Sequence, residues 1–303
     1  MNFSSIKKKL VSGLLVGTLL FSFGGATTAE AATSASEYLS QMNKALEKVK
    51  SYSIKQTMPM DMSMTAKAGD ETQTMQMTLR TTSTQKTINK PNFKSKTVTK
   101  QTTTIDGKKT STTQKVYIKK DKKGNLLSYT FTDNDKKPTK MNIDASQMNQ
   151  LMKTINTDML TNAQIIDDNF TLNKKNVVKL SAELDSSQLS KVTNELLNMG
   201  DISQLDEETQ SFMTQLLDFS NVKPITFVYY IDKKTNLPVK CTADMADFLE
   251  TYTQSVLTTM LNTDFTGTDE SMSMDIDVKK ANLTVDYSNY NKVKDFKLPS
   301  SCK

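Results

Sequence analysis

Met58, Met60, Met62 and Met64 stand at alternate positions in a chain of 303 residues that carries 18 methionines, two cysteines and no histidine. Thioethers are soft ligands, so four on one face could take Cu(I). They are also unbranched apolar groups that reshape around irregular contents, and that property suits a yielding, greasy lining. Met75, Met77, Met272 and Met274 repeat the alternation, and Met148, Met152 and Ile155 repeat it at helical spacing. These eleven residues are the candidate ligand-binding set.

The missing residue types exclude much chemistry. Without histidine there is no His-based triad, no His zinc ligand and no imidazole acid–base step. Cys241 and Cys302 are too few and too far apart in sequence for a structural zinc site. Asp275 and Asp277 share a strand face opposite Met272 and Met274 and read as solvated carboxylates. Nine glycines include no phosphate-cradling loop. Arg80 is the sole arginine, which disfavours phosphate or base recognition. The expectation is a protein that is not an enzyme, uses no cofactor and binds no nucleic acid.

The elements that must position the methionines are strands. From Tyr52 to Ala68 the even positions are apolar except Gln56, and the odd ones are Ser, Lys, Thr, Pro59, Asp61, Ser63, Thr65 and Lys67. A two-residue period means one apolar and one wet face. Seventeen residues would span about 55 Å, so the strand must bend around something. Pro59 lacks an N–H and predicts an edge or a bulge. Ser34 to Lys50 precedes it as an amphipathic helix, capped by Ser34 or Ser36.

After a turn at Gly69-Asp70, Met75, Met77 and Leu79 face one way. Residues 81–114 read as two long, weakly buried strands turning near Pro91-Asn92 and at Asp106-Gly107, with a low-complexity disordered tract as the alternative. A hairpin crosses Asp121 to Asn125, and Met141 and Ile143 close that sheet. Asp144 caps a helix carrying Met148, Met152 and Ile155. Val178 to Leu184 is a strand, 187–199 and 203–219 are helices, and 225–240 is a hairpin. A helix over 247–261 follows. Met272, Met274, Ile276 and Val278 then alternate before the phase flips to Leu283, Val285 and Tyr287, which predicts a turn or bulge near Lys279-Lys280.

The first 31 residues form a secretory signal peptide: Lys7 to Lys9, an apolar run from Leu10 to Phe23, and Ala29-Glu30-Ala31 for cleavage. An uncleaved anchor is the alternative, for which the run is short. Without Lys7, Lys8, Lys9 and Glu30 the net charge falls from +6 to +4. No cysteine follows the run, so the expectation is a protein outside the membrane, in extracellular or cell-wall space, and not lipid-anchored. Residues 32–303 read as one domain. In an exported chain Cys241 and Cys302 suggest a disulfide, with a buried Cys241 thiol as the alternative.

Two stretches carry a family resemblance. Tyr230-Ile231-Asp232-Lys233-Lys234-Thr235-Asn236-Leu237-Pro238-Val239-Lys240 resembles the hairpin of LolA-like lipoprotein-carrier and mycobacterial glycolipid-carrier proteins. Tyr287-Ser288-Asn289-Tyr290-Asn291-Lys292-Val293, followed by Leu298-Pro299, is similar to the end of related secreted proteins of Gram-positive bacteria. The resemblance implies an α+β fold: a half-open antiparallel β-barrel, or strongly curved sheet, with helices covering the open side. It implies an apolar cavity for acyl chains and no catalytic residues. The chain lacks the lipobox cysteine of relatives and is longer.

Three functions follow. The first is a secreted binding protein holding a lipid or other apolar molecule, working with a membrane surface or cell-envelope protein. The second is a ligand-free sensor or structural module on the same fold. The third is Cu(I) binding by Met58, Met60, Met62 and Met64.

Overall fold

The computed structural model describes residues 34–68, 70–133, 135, 137–146, 159–191, 219, 222–264 and 272–302. The helices expected from Asp144, over 187–199 and over 203–219 lie wholly or largely outside these residues. The first described element is helix α1, Ala35–Glu47, closed by a capping box in which Ser34 and Glu37 satisfy each other's backbone N–H. It runs directly into strand β1, Ser51–Ala68. The sheet continues with β2 (Glu71–Ile88), β3 (Lys94–Ile105), β4 (Lys108–Lys120), β5 (Leu126–Thr132), β6 (Thr139–Ile143), β7 (Leu160–Leu172), β8 (Lys175–Leu184), β9 (Ile225–Asp232) and β10 (Pro238–Asp244). Helix α2, Ala246–Asp264, and strand β11, Met272–Ser288, complete it.

The eleven strands form one curved, open antiparallel sheet in the order β6-β5-β4-β3-β2-β1-β11-β10-β9-β8-β7. Thr-rich β2–β4 form strands, as the propensity of Thr predicts, and Asp106 and Gly107 turn β3 into β4 with positive φ at both positions. β7 was not foreseen. It is a bulged edge strand with mostly exposed side chains, so it lacks the alternation by which a half-buried strand is recognised.

Pro59 corrects the expectation of an edge. β1 is central, paired with β2 along its whole length and with β11 on the other side. The ladder to β11 instead skips Met58 and Pro59, between Thr57↔Thr284 and Met60↔Ala281. The phase flip near Lys279-Lys280 is a bulge. Asp61 opposes Lys280 while Met62 opposes Val278, so Lys279 is the extra residue. That single insertion keeps Met274, Ile276 and Val278 on the same sheet face as Ala281, Leu283 and Val285.

Both described helices pack on this face. α1 places Tyr38, Leu39 and Met42 on Val178, Leu180, Ala182 and Ile231. α2 places Leu249 and Leu257 in the larger core with the methionines. The C-terminal segment packs on the opposite face, where Cys302 and Leu298 join Tyr117 and Tyr129. The disulfide is therefore corrected. Cys241 lies on the inner face beside Tyr229 and Val285, Cys302 lies on the outer face, and both are free, buried thiols. Side chains on opposite faces of one sheet point apart and cannot be bridged without backbone movement.

Candidate functional site

The inner face of β2, β1 and β11 gathers the thioethers. Met62 opposes Met77 and Met64 opposes Met75 across β1–β2, while Ala66 opposes Met274 across β1–β11. Directly opposed residues bring their Cβ atoms to about 5 Å. Met60, Met62, Met64, Met75, Met77 and Met274 are each 5 % exposed or less. Met58 is half-buried against the same core. Met272 pairs through its backbone with Ala68. Met148, Met152 and Ile155 lie outside the described residues.

α2 packs against this layer by an unusual attachment. β10 pairs with β11 only from Asn282 to Asp286, which leaves the edge of β11 before that point without a strand. The chain leaves β10, donates Met245 N to Ala281 O at 2.7 Å, and becomes α2. The Gln254 side chain then acts as a strand would. Its Nε2 donates to Met274 O at 2.6 Å and its Oε1 accepts from Ile276 N at 3.0 Å. Glu250 Oε2 accepts from Val278 N at 2.9 Å. These bonds satisfy backbone groups that would otherwise be stranded beside the core. Neither residue stood out in the sequence. Their spacing of four puts both on one helix face, which was the available sign.

A second region of the same face is polar. Following the registers from the methionines, Met58 opposes Thr81 and Thr81 opposes Gln101; Gln56 opposes Ser83 and Ser83 opposes Thr99; Tyr52 opposes Thr87 and Thr87 opposes Ser95. Gln56, Thr81, Ser83, Thr87, Ser95, Thr99, Gln101 and Thr103 are all buried. Thr99 Oγ1 donates to Ser83 Oγ at 3.1 Å, Thr87 and Ser95 hydroxyls lie 3.3 Å apart, and Gln85 Nε2 donates to Thr87 Oγ1 at 2.9 Å. The sequence reading of "weakly buried" strands over 81–114 missed this band. The odd-position phase of Met75, Met77 and Leu79 runs on unbroken through Thr81 and Ser83, and would have found it.

The same inner face carries buried phenols and a thiol. Burial pushes Tyr229 and Tyr287 well above the ordinary phenol value, and pushes the Cys241 thiol up to about 12, although a hydrogen bond with Tyr229 pulls it back in part. A thiol so placed stays protonated and inert.

The two stretches that carry the family resemblance meet at the outer end of α1. Asp232 closes the β9–β10 turn, accepting from Lys234 N at 2.9 Å, and Asn236 takes positive φ. Tyr290 Oη donates to Pro238 O at 2.6 Å, and Asn291 Oδ1 accepts from Lys50 N at 2.6 Å. Their role is to tie the chain's end to the start of β1. A surface cleft of about 270 Å³ opens there, lined by residues that include Lys44, Lys48, Asn236 and Asn291. None of the predicted methionines lines it. Among the described residues, no group of three or more acidic or cysteine side chains is placed to hold a metal, and no helix is long and apolar enough to cross a membrane.

A family profile matches residues 34–303. The protein belongs to DUF6612, a family of unknown function. No curated protein matches this DUF6612 chain in sequence. Among solved structures it is similar to the Mycobacterium tuberculosis lipoprotein LppX, at 9 % identity and TM-score 0.36, over 86 % of this chain and 97 % of that one. It is also similar to a DUF1329 family protein from Desulfovibrio piger, at 12 % identity and TM-score 0.25, over 85 % and 92 %. A β-barrel-like DUF1849 protein from Brucella abortus follows at 10 % identity and TM-score 0.22, over 78 % and 98 %. At these values the likenesses assign no activity to the DUF6612 chain.

Proposed function

We propose that this is a secreted, non-catalytic binding protein that holds a lipid or other apolar molecule against the methionine face, under α2. The observation that carries the reading is the contiguity of six buried thioethers across three adjacent strands. Methionine gives a surface that re-forms around contents of varied shape, where leucine or isoleucine would fix one shape. The cover supports it too. α2 is fastened to the β11 edge by side chains, and side-chain bonds are exchanged for water more readily than a strand ladder.

Met58 extends this lining. The signal-peptide pattern before residue 32 supports export to extracellular or cell-wall space, and the lack of a cysteine after its apolar run supports a form without a lipid anchor. Partners are then the apolar molecule and the membrane surface or envelope protein that exchanges it.

A second reading is favoured by the close burial of the same methionines: a filled core, serving a ligand-free interaction module. Native mass spectrometry separates the two. The carrier predicts a retained apolar mass, removed by organic extraction and regained when dodecane is added. An apo mass that takes up nothing establishes the filled core.

A further inference from the structure

We propose that the ligand is an uncharged amphiphile: its apolar chain lies on the methionines and its neutral hydroxyl- or amide-bearing head lies on the Ser/Thr/Gln band. This rests on the carrier reading above and adds the class of head group. The two regions are one surface. Along β1 and β2 the inner-face pairs run Met64–Met75, Met62–Met77, Met60–Leu79, Met58–Thr81, Gln56–Ser83, Ile54–Gln85 and Tyr52–Thr87. Thioethers therefore give way to hydroxyls and amides within one strand, and the change falls at Met58–Thr81.

No inner-face position in these pairs bears a charge, nor do their β3 partners Ile105, Thr103, Gln101, Thr99, Thr97 and Ser95. The charged residues Lys55, Asp61, Arg80, Lys86, Lys96 and Lys100 occupy the alternating outer positions. A carboxylate or phosphate head placed here would lose its hydration with no cation to receive it. A glycerol, sugar or amide head would exchange water for hydroxyl and amide partners at little cost.

The test uses three probes of equal chain length on the organic-extracted, refolded full protein: monolaurin with a neutral glycerol head, laurate with a charged head, and dodecane with none. Monolaurin is expected to bind at least tenfold more tightly than laurate. In Ser83→Ala/Thr99→Val, monolaurin affinity should fall at least tenfold while dodecane affinity holds, and Ser83→Ala with Thr99→Ser should recover part of the loss. Laurate binding as well as monolaurin, or unchanged monolaurin affinity in the variant, overturns the head-group assignment and leaves the carrier reading standing on dodecane. Failure of all three probes overturns both. Should the double variant not fold, the monolaurin-to-laurate ratio on the unsubstituted protein still decides.

Discussion

Replacing Gln254 by leucine removes the side chain that stands in for a missing strand. The amide makes two bonds to β11, to Met274 O at 2.6 Å and from Ile276 N at 3.0 Å. Each such bond contributes about 0.5–1.5 kcal/mol net, so the pair is worth about 1–3 kcal/mol. At this chain length that lowers the melting midpoint by a few degrees. Adding Glu250→Leu removes the acceptor of a charge-assisted bond from Val278 N at 2.9 Å, worth somewhat more than a neutral one. Amide hydrogen exchange locates the effect. In an antiparallel strand successive N–H groups point to opposite neighbours. The Ile276 and Val278 amides point to α2, and those of Asp275 and Asp277 point to β1. The double variant should speed exchange at Ile276 and Val278 while sparing Asp275 and Asp277. A lipid-loaded sample should also release its cargo faster, because the fastening of the cover is gone. Unchanged exchange at Ile276 and Val278 would refute the latch, and equal acceleration at all four would mean a general loosening of β11.

Alkaline pH should expose the buried thiol. Cys241 holds its proton to about 12 in the folded protein against an ordinary value near 9, so its contribution is complete below pH 9 and is lost as pH rises from 9 to 12. Three pH units correspond to about 4 kcal/mol at most. Cys241→Val lacks the titration, so denaturant unfolding at pH 8 and pH 11 should show its stability deficit narrowing at the higher pH; a constant difference would contradict the burial argument. Ser34→Ala removes the acceptor for Glu37 N at 3.3 Å and should lower stability by about 1 kcal/mol in the same measurement, and no change would mean that α1 frays without consequence.

The periodic parts of the fold were legible. The even-position methionines marked the inner face of β1, and the phase flip after Val278 marked the place of a turn or bulge, which the β1–β11 ladder shows to be a bulge. The Asp106-Gly107 and Asp121–Asn125 turns were written in residues that tolerate their backbone angles. What failed to show did so for physical reasons. A disulfide was inferred from export and an even count, but neither says on which face of the sheet a cysteine lies. The C-terminal segment crosses to the outer face, where Lys94 holds it through Asp295 and the Phe296 carbonyl. Pro59 marks an edge only when its missing donor is the deciding fact; here the β1–β11 ladder skips two residues and the centre of the sheet tolerates it.

The hydroxyl band was hidden by a habit of reading periodicity through hydrophobicity. Thr81, Ser83 and Thr87 score as surface residues, yet they continue the register of Met75, Met77 and Leu79 on a face that stays buried. Apolar residues at those positions would have been the simpler way to fill a core. Hydroxyls at buried, uncharged positions add little to stability when paired and cost free energy when left alone. Six of them with two glutamine amides, beside a methionine floor, make better sense as a surface that meets contents of both kinds than as packing. A face built only to be filled has no physical reason to divide into an oily part and a hydrogen-bonding part. A face that must hold a two-part molecule does.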